Sequence, residues 1–115
     1  MKHPKFSIVT VCYNAGDKLY NTINTALTQT YDNFEIIVKD GMSKDDSLSK
    51  LPADARIKVI QTPDKGIYDA MNQALEHITG DYVYFLNCGD SFYNKEVLQK
   101  VAEYIEKIPD AGIYY

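Results

Sequence analysis

The sequence predicts an α/β protein: a three-layer sandwich in which a mainly parallel sheet is covered by helices on both faces. Three observations carry this prediction. Short apolar, β-branched runs alternate with helical stripes along the chain, the pattern of successive βα units. The clearest strand candidates are almost continuously apolar, as strands covered on both faces must be. The connections leaving each strand are small and polar, whereas those entering the strands are plainer.

Phe6–Cys12 (FSIVTVC) reads as the first strand, broken by the turn-forming YNAGD. Leu19, Ile23, Ala26 and Leu27 then recur at i, i+4, i+7 and i+8, one face of a helix. Residues 34–39 (FEIIVK) form a second strand, interrupted by DGMSKDDS, and a short helical stretch is expected over 46–51, closed by Pro52. Ile57–Gln61 (IKVIQ) is a third strand ending before Pro63. Ile67, Met71, Ala74, Leu75 and Ile78 make a second helical stripe, with Gly80 as its C-terminal stop. Residues 82–86 give a fourth strand, and Asn94 is placed to cap a helix carrying Val97, Leu98, Val101 and Ile105. AGIYY at 111–115 reads as the start of a fifth strand, so a piece of a longer chain is expected.

At 115 residues without repeats or linkers, residues 1–115 are expected to form a single domain. A net charge of −4 with no Lys/Arg run argues against a nucleic-acid surface. No apolar run approaches the roughly 18 residues that span a bilayer, and the N-terminus lacks a signal-peptide pattern. The expected location is the cytoplasm, with membrane association left open for the full-length protein. Cys12 and Cys88 are too few for a disulfide framework and are expected as buried free thiols.

Function is to be sought at the strand exits, because open α/β sheets bind ligands beyond the carboxyl ends of their strands. The exits hold Tyr13, Asn14 and Gly16, then Asp40, Gly41, Ser43, Asp45 and Asp46, then Asp64, Lys65 and Gly66, and finally Asn87, Gly89 and Asp90. The last exit, in YVYFLNCGD, puts a carboxylate at the rim of an apolar strand; either water or a cation must reach it. Neither GxGxxG nor GxxxxGK[ST] occurs, which disfavours a dinucleotide fold or a P-loop. His3 lies in a terminal tail and His77 on a polar helix face, so Ser/His/Asp catalysis is also disfavoured. A carboxylate-rich edge suits a ligand that brings its own divalent cation, since hard cations take oxygen ligands.

With these residues in view, the chain resembles the family 2 glycosyltransferases of GT-A fold. FSIVTVCYNAGDKLYNTINTALTQTYDNFEIIVKDGMSKDDS is similar to that family's first strand, helix and second strand. PDKGIYDAMNQALEHITGDYVYFLNCGD resembles the branch whose fourth strand ends in LN-x-GD. The resemblance implies a Rossmann-like GT-A nucleotide-binding half, with the first and fourth strands side by side. It also implies transfer of a sugar from a nucleoside-diphosphate sugar, UDP-sugar favoured, to a glycan or lipid-linked acceptor hydroxyl in cell-surface polysaccharide biosynthesis. The reaction would be inverting and metal-assisted. Val11, Tyr13 and Asn14 would line the base and ribose pocket, Asp40 would recognise uracil or ribose, and Asp69 would contact the nucleotide. Asp90, with Asn87 as a second ligand, would hold Mn²⁺ or Mg²⁺ beside the diphosphate.

Three departures accompany the resemblance. Gly41 stands where the family has a second adjacent acid, and Asn87-Cys88-Gly89-Asp90 replaces Asp-x-Asp-Asp, leaving one carboxylate. The family's general base would lie beyond residue 115, so these residues alone are expected to be inactive. Plainer readings stand beside these roles: Asp40 as a turn former, Asp45 and Asp46 as helix-start acids, Asp69 as a first-turn acid, and Lys65 as a solvated loop residue. Different-class alternatives are a non-catalytic nucleotide-binding or docking module and a receiver-like phosphoacceptor. An open sheet edge after the fourth strand would permit self-association.

Overall fold

Four extended runs pair side by side in the computed structural model, which describes residues 4–92 and 94–107. β1 (Phe6–Cys12), β2 (Phe34–Asp40), β3 (Ile57–Gln61) and β4 (Tyr82–Phe85) form one sheet of order β3-β2-β1-β4. All three pairings are parallel, with Phe6 opposite Phe34 and Tyr82, and Ile36 opposite Ile57. Both central strands are covered on two faces, which explains the apolar cores of their sequences, Ile8-Val9 and Ile36-Ile37-Val38.

Helices α1 (Asp17–Leu27) and α3 (Val97–Lys107) cover one face and α2 (Ile67–Leu75) the other. The larger core joins Ile8, Ile36 and Val38 to Leu19 and Ile23 of α1 and to Leu98 and Ile105 of α3. The smaller one joins Val9, Ile37 and Val83 to Ala74. The predicted three layers are therefore present. The sheet order also removes the receiver-like reading: flavodoxin-like sheets run 2-1-3-4-5, whereas β4, not β3, lies beside β1 here. No described helix is long and apolar enough to cross a membrane.

Several boundaries differ from expectation. The stretch at 46–51 is reduced to a single 3-10 turn, Leu48–Lys50. Helix α2 stops at Leu75, well before Gly80. Gly80 serves close approach instead: a Cβ there would lie 2.6 Å from Ser7 Oγ and 2.8 Å from the Lys5 carbonyl oxygen. Ile67, counted in the apolar stripe, is 49% exposed, because the first turn of α2 stands at the rim of a cavity. Asn94, expected as the cap of α3, lies three residues before it; its Oδ1 accepts the Glu96 N–H at 2.8 Å in the turn that leads into the helix. The fifth strand expected at 111–115 lies outside the described residues.

Candidate functional site

Strand order reverses between β1 and β4, so the carboxyl end of β1 is the switch point at which ligands enter such sheets. Two adjoining cavities open there. One, of about 550 Å³, is lined by Val11, Tyr13, Gly41, Asp64, Ile67 and Ala70. The other, of about 340 Å³, is lined by Val11, Tyr13, Asn14, Lys18 and Cys88, among others. Val11, Cys12 and Tyr13 border both, so the β1 exit is the shared wall of one crevice.

The loop after β1 is stitched to the loop after β2. Asn14, in left-handed conformation at φ 49°, donates its N–H to Ser43 Oγ at 2.7 Å and accepts the Lys44 N–H on its side-chain oxygen at 2.7 Å. Asparagine tolerates that backbone region better than most residues. Asp45 accepts the Gly16 N–H and both donors of Ser47, and so ties the start of α1 to this loop.

Asp40 organises the same turn from within. It is fully buried, and four donors converge on its carboxylate. Oδ2 accepts the Ser43 N–H at 2.6 Å and Gln61 Nε2 at 3.2 Å; Oδ1 accepts the Ser43 hydroxyl and the Cys12 thiol. Burial pushes its pKa up, but the Ser43 hydroxyl and N–H outweigh it and hold the group below the ordinary aspartate value. Burial and neighbouring Asp40 together drive the Cys12 thiol far above its usual range, so it stays protonated. Burial likewise raises Cys88; both cysteines are free, as expected, but half-buried at the crevice wall rather than buried, because the strand exits they stand on open to solvent.

Beside Asp40 stands a lysine that the resemblance did not single out. Lys39 is fully buried, and its ammonium donates to the Thr62 carbonyl at 2.8 Å, the Asp40 carbonyl at 3.2 Å and Asp64 Oδ2 at 2.9 Å. The Lys39 hydrogen bond holds the Asp64 carboxyl below its ordinary pKa. Asp64 Oδ1 accepts the Gly66 N–H at 3.2 Å, and the side chain remains 17% exposed to the larger cavity. Gly41 makes room for it: a Cβ at Gly41 would meet Asp64 Oδ2 at 2.9 Å and the Tyr13 ring at 3.6 Å.

At the opposite wall the β4 exit makes a tight turn, closed by the Asp90 N–H on the Asn87 carbonyl at 2.9 Å, with Gly89 at φ 97° in its third position. Thr22 of α1, 1% exposed, clasps that turn: its hydroxyl donates to the Asp90 carbonyl at 2.8 Å and accepts the Gly89 N–H at 2.9 Å. Asn87 and Asp90 are both exposed, so water reaches the carboxylate. Lys18, also exposed, has its side chain beside Gly89, 3.9 Å from where a Cβ would stand.

The structure thus gathers Val11, Tyr13 and Asn14 on the crevice wall and carries Asn87 and Asp90 on the turn beside it. Asp40 sits behind that wall. Asp69 caps its own loop, its Oδ2 accepting the Lys65 N–H at 2.8 Å and Gln73 Nε2 at 3.1 Å. Lys39, Lys18 and Thr22 were not distinguished by sequence, and Asp64 only as one of the polar residues at the third strand exit. A lysine directly after the apolar Ile36-Ile37-Val38 run of a buried strand was the signal available for Lys39; the others look like ordinary loop or helix residues. Among the described residues no three His, Cys, Asp or Glu side chains gather as a metal cluster.

The sequence matches Glycosyl transferase family 2 over residues 7–115. It is 31% identical over 120 residues to a PGL/p-HBAD biosynthesis glycosyltransferase of Mycobacterium bovis, covering 100% of this chain and 47% of that protein. It is 34% identical over 98 residues to the Escherichia coli UDP-Glc:alpha-D-GlcNAc-diphosphoundecaprenol beta-1,3-glucosyltransferase WfaP, covering 83% of this chain and 39% of the other. The chain therefore spans about half the length, or less, of these curated relatives. The structure of S. aureus TarS 1-349 in complex with UDP-GlcNAc superposes with a TM-score of 0.80 at 30% identity, over 90% of this chain and 31% of that one. Mannosyltransferase PcManGT of Pyrobaculum calidifontis, in complex with GDP-Man and Mn²⁺, shares the fold with a TM-score of 0.81 at 20% identity, over 91% and 33% of the two chains.

Proposed function

The chain belongs to glycosyl transferase family 2, and on that premise we propose that it is the donor-binding part of an inverting glycosyltransferase that uses a UDP-sugar in the cytoplasm. Cell-surface polysaccharide assembly is the favoured setting, and the LN-x-GD turn the favoured branch. The crevice at the β1 exit carries this reading. Its larger, mainly apolar cavity suits a planar base against Tyr13. Its smaller cavity brings Lys18 near the Asp90 turn, where a diphosphate needs positive charge. The TarS complex with UDP-GlcNAc and the UDP-Glc specificity in the WfaP name favour uridine donors.

Asp90 and Asn87 fit a Mg²⁺ or Mn²⁺ site of limited kind. Both are exposed on one turn, and such ions are commonly held by one or two protein groups plus substrate phosphates and water. When bound, the ion would stabilise charge on the departing diphosphate. The chain's own contribution is to hold the base and ribose against Val11 and Tyr13, and the diphosphate near Lys18. In the transfer itself, the acceptor oxygen bonds the anomeric carbon, the bond to the diphosphate breaks, and a base takes the hydroxyl proton. The reading assigns that base to no described residue, so residues 1–115 alone should bind donor without turning it over.

Thermal-shift titration with UDP, UDP-sugars and GDP, with and without Mn²⁺ or Mg²⁺, tests this. At a ligand concentration 100 times Kd, stabilisation should reach about 2.7 kcal/mol. Silence toward every nucleotide would leave a docking module as the better reading.

A further inference from the structure

We propose that in this chain Asp64, held by Lys39, is the carboxylate that reads the ring N–H edge of the donor's nucleobase, in place of Asp40. The inference rests on the donor-binding reading above and names the group that sets its base specificity.

Asp40 has nothing left to offer a ligand. An ionised carboxylate has about four lone-pair sites, and Ser43 (twice), Cys12 and Gln61 fill them in a fully buried position. Asp64 is the reverse case. It accepts two bonds, from Lys39 and Gly66, and lines the larger cavity with accepting capacity to spare. Among that cavity's lining residues it is the sole charged side chain. Gly41, where a second acid would otherwise stand, is the space Asp64 occupies; any Cβ there would press on Asp64 Oδ2.

Lys39 is a positioning residue. Its ammonium is anchored on the Thr62 and Asp40 carbonyls, so the Asp64 carboxylate is fixed to the ends of β2 and β3 rather than free on a loop. A carboxylate so fixed accepts a ring N–H from uracil or guanine. Cytosine and adenine present a ring nitrogen lone pair at that edge, which a carboxylate repels. A site built to bond a donor discriminates strongly against a ligand that lacks it.

Calorimetric titration of the full chain with UDP, GDP, CDP and ADP decides the matter. The wild type should bind UDP or GDP at least tenfold more tightly than CDP and ADP. Asp64→Asn should lower that affinity by roughly tenfold to a hundredfold and collapse the preference. If Asp64→Asn does not fold, the double variant K39M/D64N removes the buried ammonium together with its partner and gives the same readout. A control without mutation is UDP methylated at N3, which should bind wild type at least tenfold more weakly. Equal loss for all four nucleotides in the variant, an unchanged preference, or undiminished binding of the N3-methyl compound would each overturn the role of Asp64 while leaving donor binding intact. Failure of the wild type to bind any of the four would overturn the donor-binding reading, and this inference with it.

Discussion

The two ends of the sheet each bury a carboxylate, and they do opposite things with it. At the amino end, Glu35 is 3% exposed and takes bonds from the Ser7 hydroxyl at 2.7 Å, Lys58 at 2.7 Å, and the Thr79 N–H and hydroxyl at 2.6 and 3.0 Å. Ser7 in turn accepts the Gly80 N–H at 2.8 Å, so the knot closes β1, β2, β3 and the entry to β4 on one another. At the carboxyl end, Asp40 is saturated in the same way, but the strands splay into loops and a second acid, Asp64, stays open to a cavity. Burial and a lowered pKa are common to both ends, so neither marks a binding site. What sets Asp64 apart is accepting capacity left facing a cavity.

The largest effect expected from breaking this contrast is at Glu35. Glu35→Ala should lower unfolding stability by about 3 kcal/mol, since it leaves the buried Ser7 hydroxyl without an acceptor and removes the bonds from Lys58 and Thr79 that tie the strands together. Urea denaturation would show it as a lower midpoint, with nucleotide affinity unchanged at temperatures where the variant is folded. Solution pH probes the same group. Burial pushes Glu35 up, but Lys58, Ser7 and Thr79 bring it down to about 2 from an ordinary value of 4.5. Its contribution is therefore complete above pH 4.5 and lost as the pH falls from there toward 2. Acid titration of wild type should show that loss, and Glu35→Gln should flatten it.

Gly80→Ala comes next, at about 2 kcal/mol, because its Cβ would strike backbone and the Ser7 hydroxyl rather than a side-chain tip. Gly41→Ala, the equivalent change at the other end, meets a carboxylate tip that can shift, so about 1 kcal/mol is expected from denaturation. Its main effect should appear in nucleotide affinity. Lys18→Ala should leave denaturation unchanged, because the side chain is exposed. Its UDP affinity should fall roughly tenfold and lose part of its salt dependence. The smallest effect is at Thr10, whose buried hydroxyl has no hydrogen-bond partner among the described residues. Thr10→Val should be neutral or stabilising by up to about 1 kcal/mol, read as a small rise in Tm.

Much of the fold was legible. β1 falls where its apolar run begins and ends, because a strand buried on both faces has few other compositions available, and β3, an edge strand with Lys58, Val59 and Gln61 exposed, falls where its short run before Pro63 placed it. Helix α2 was read too long because Ile78 continues the stripe; it packs on the smaller core from beyond the helix, through chain that has already left helical geometry. At the site, Tyr13 and Asn14 were visible because they leave a strand directly. Asp40 was visible as an acid at a strand exit, but whether that acid faces in or out was not, since Asp-Gly reads the same in either orientation.

What the sequence alone determined is the order of elements, the parallel sheet and the polar edge on which a ligand would sit, because each follows from local periodicity and from which loops carry small polar residues. The tertiary structure decided which carboxylate is spent and which is left open. That choice depends on Lys39, Gln61, Ser43 and Cys12 meeting across three strands and a turn, at distances that no spacing along the chain encodes.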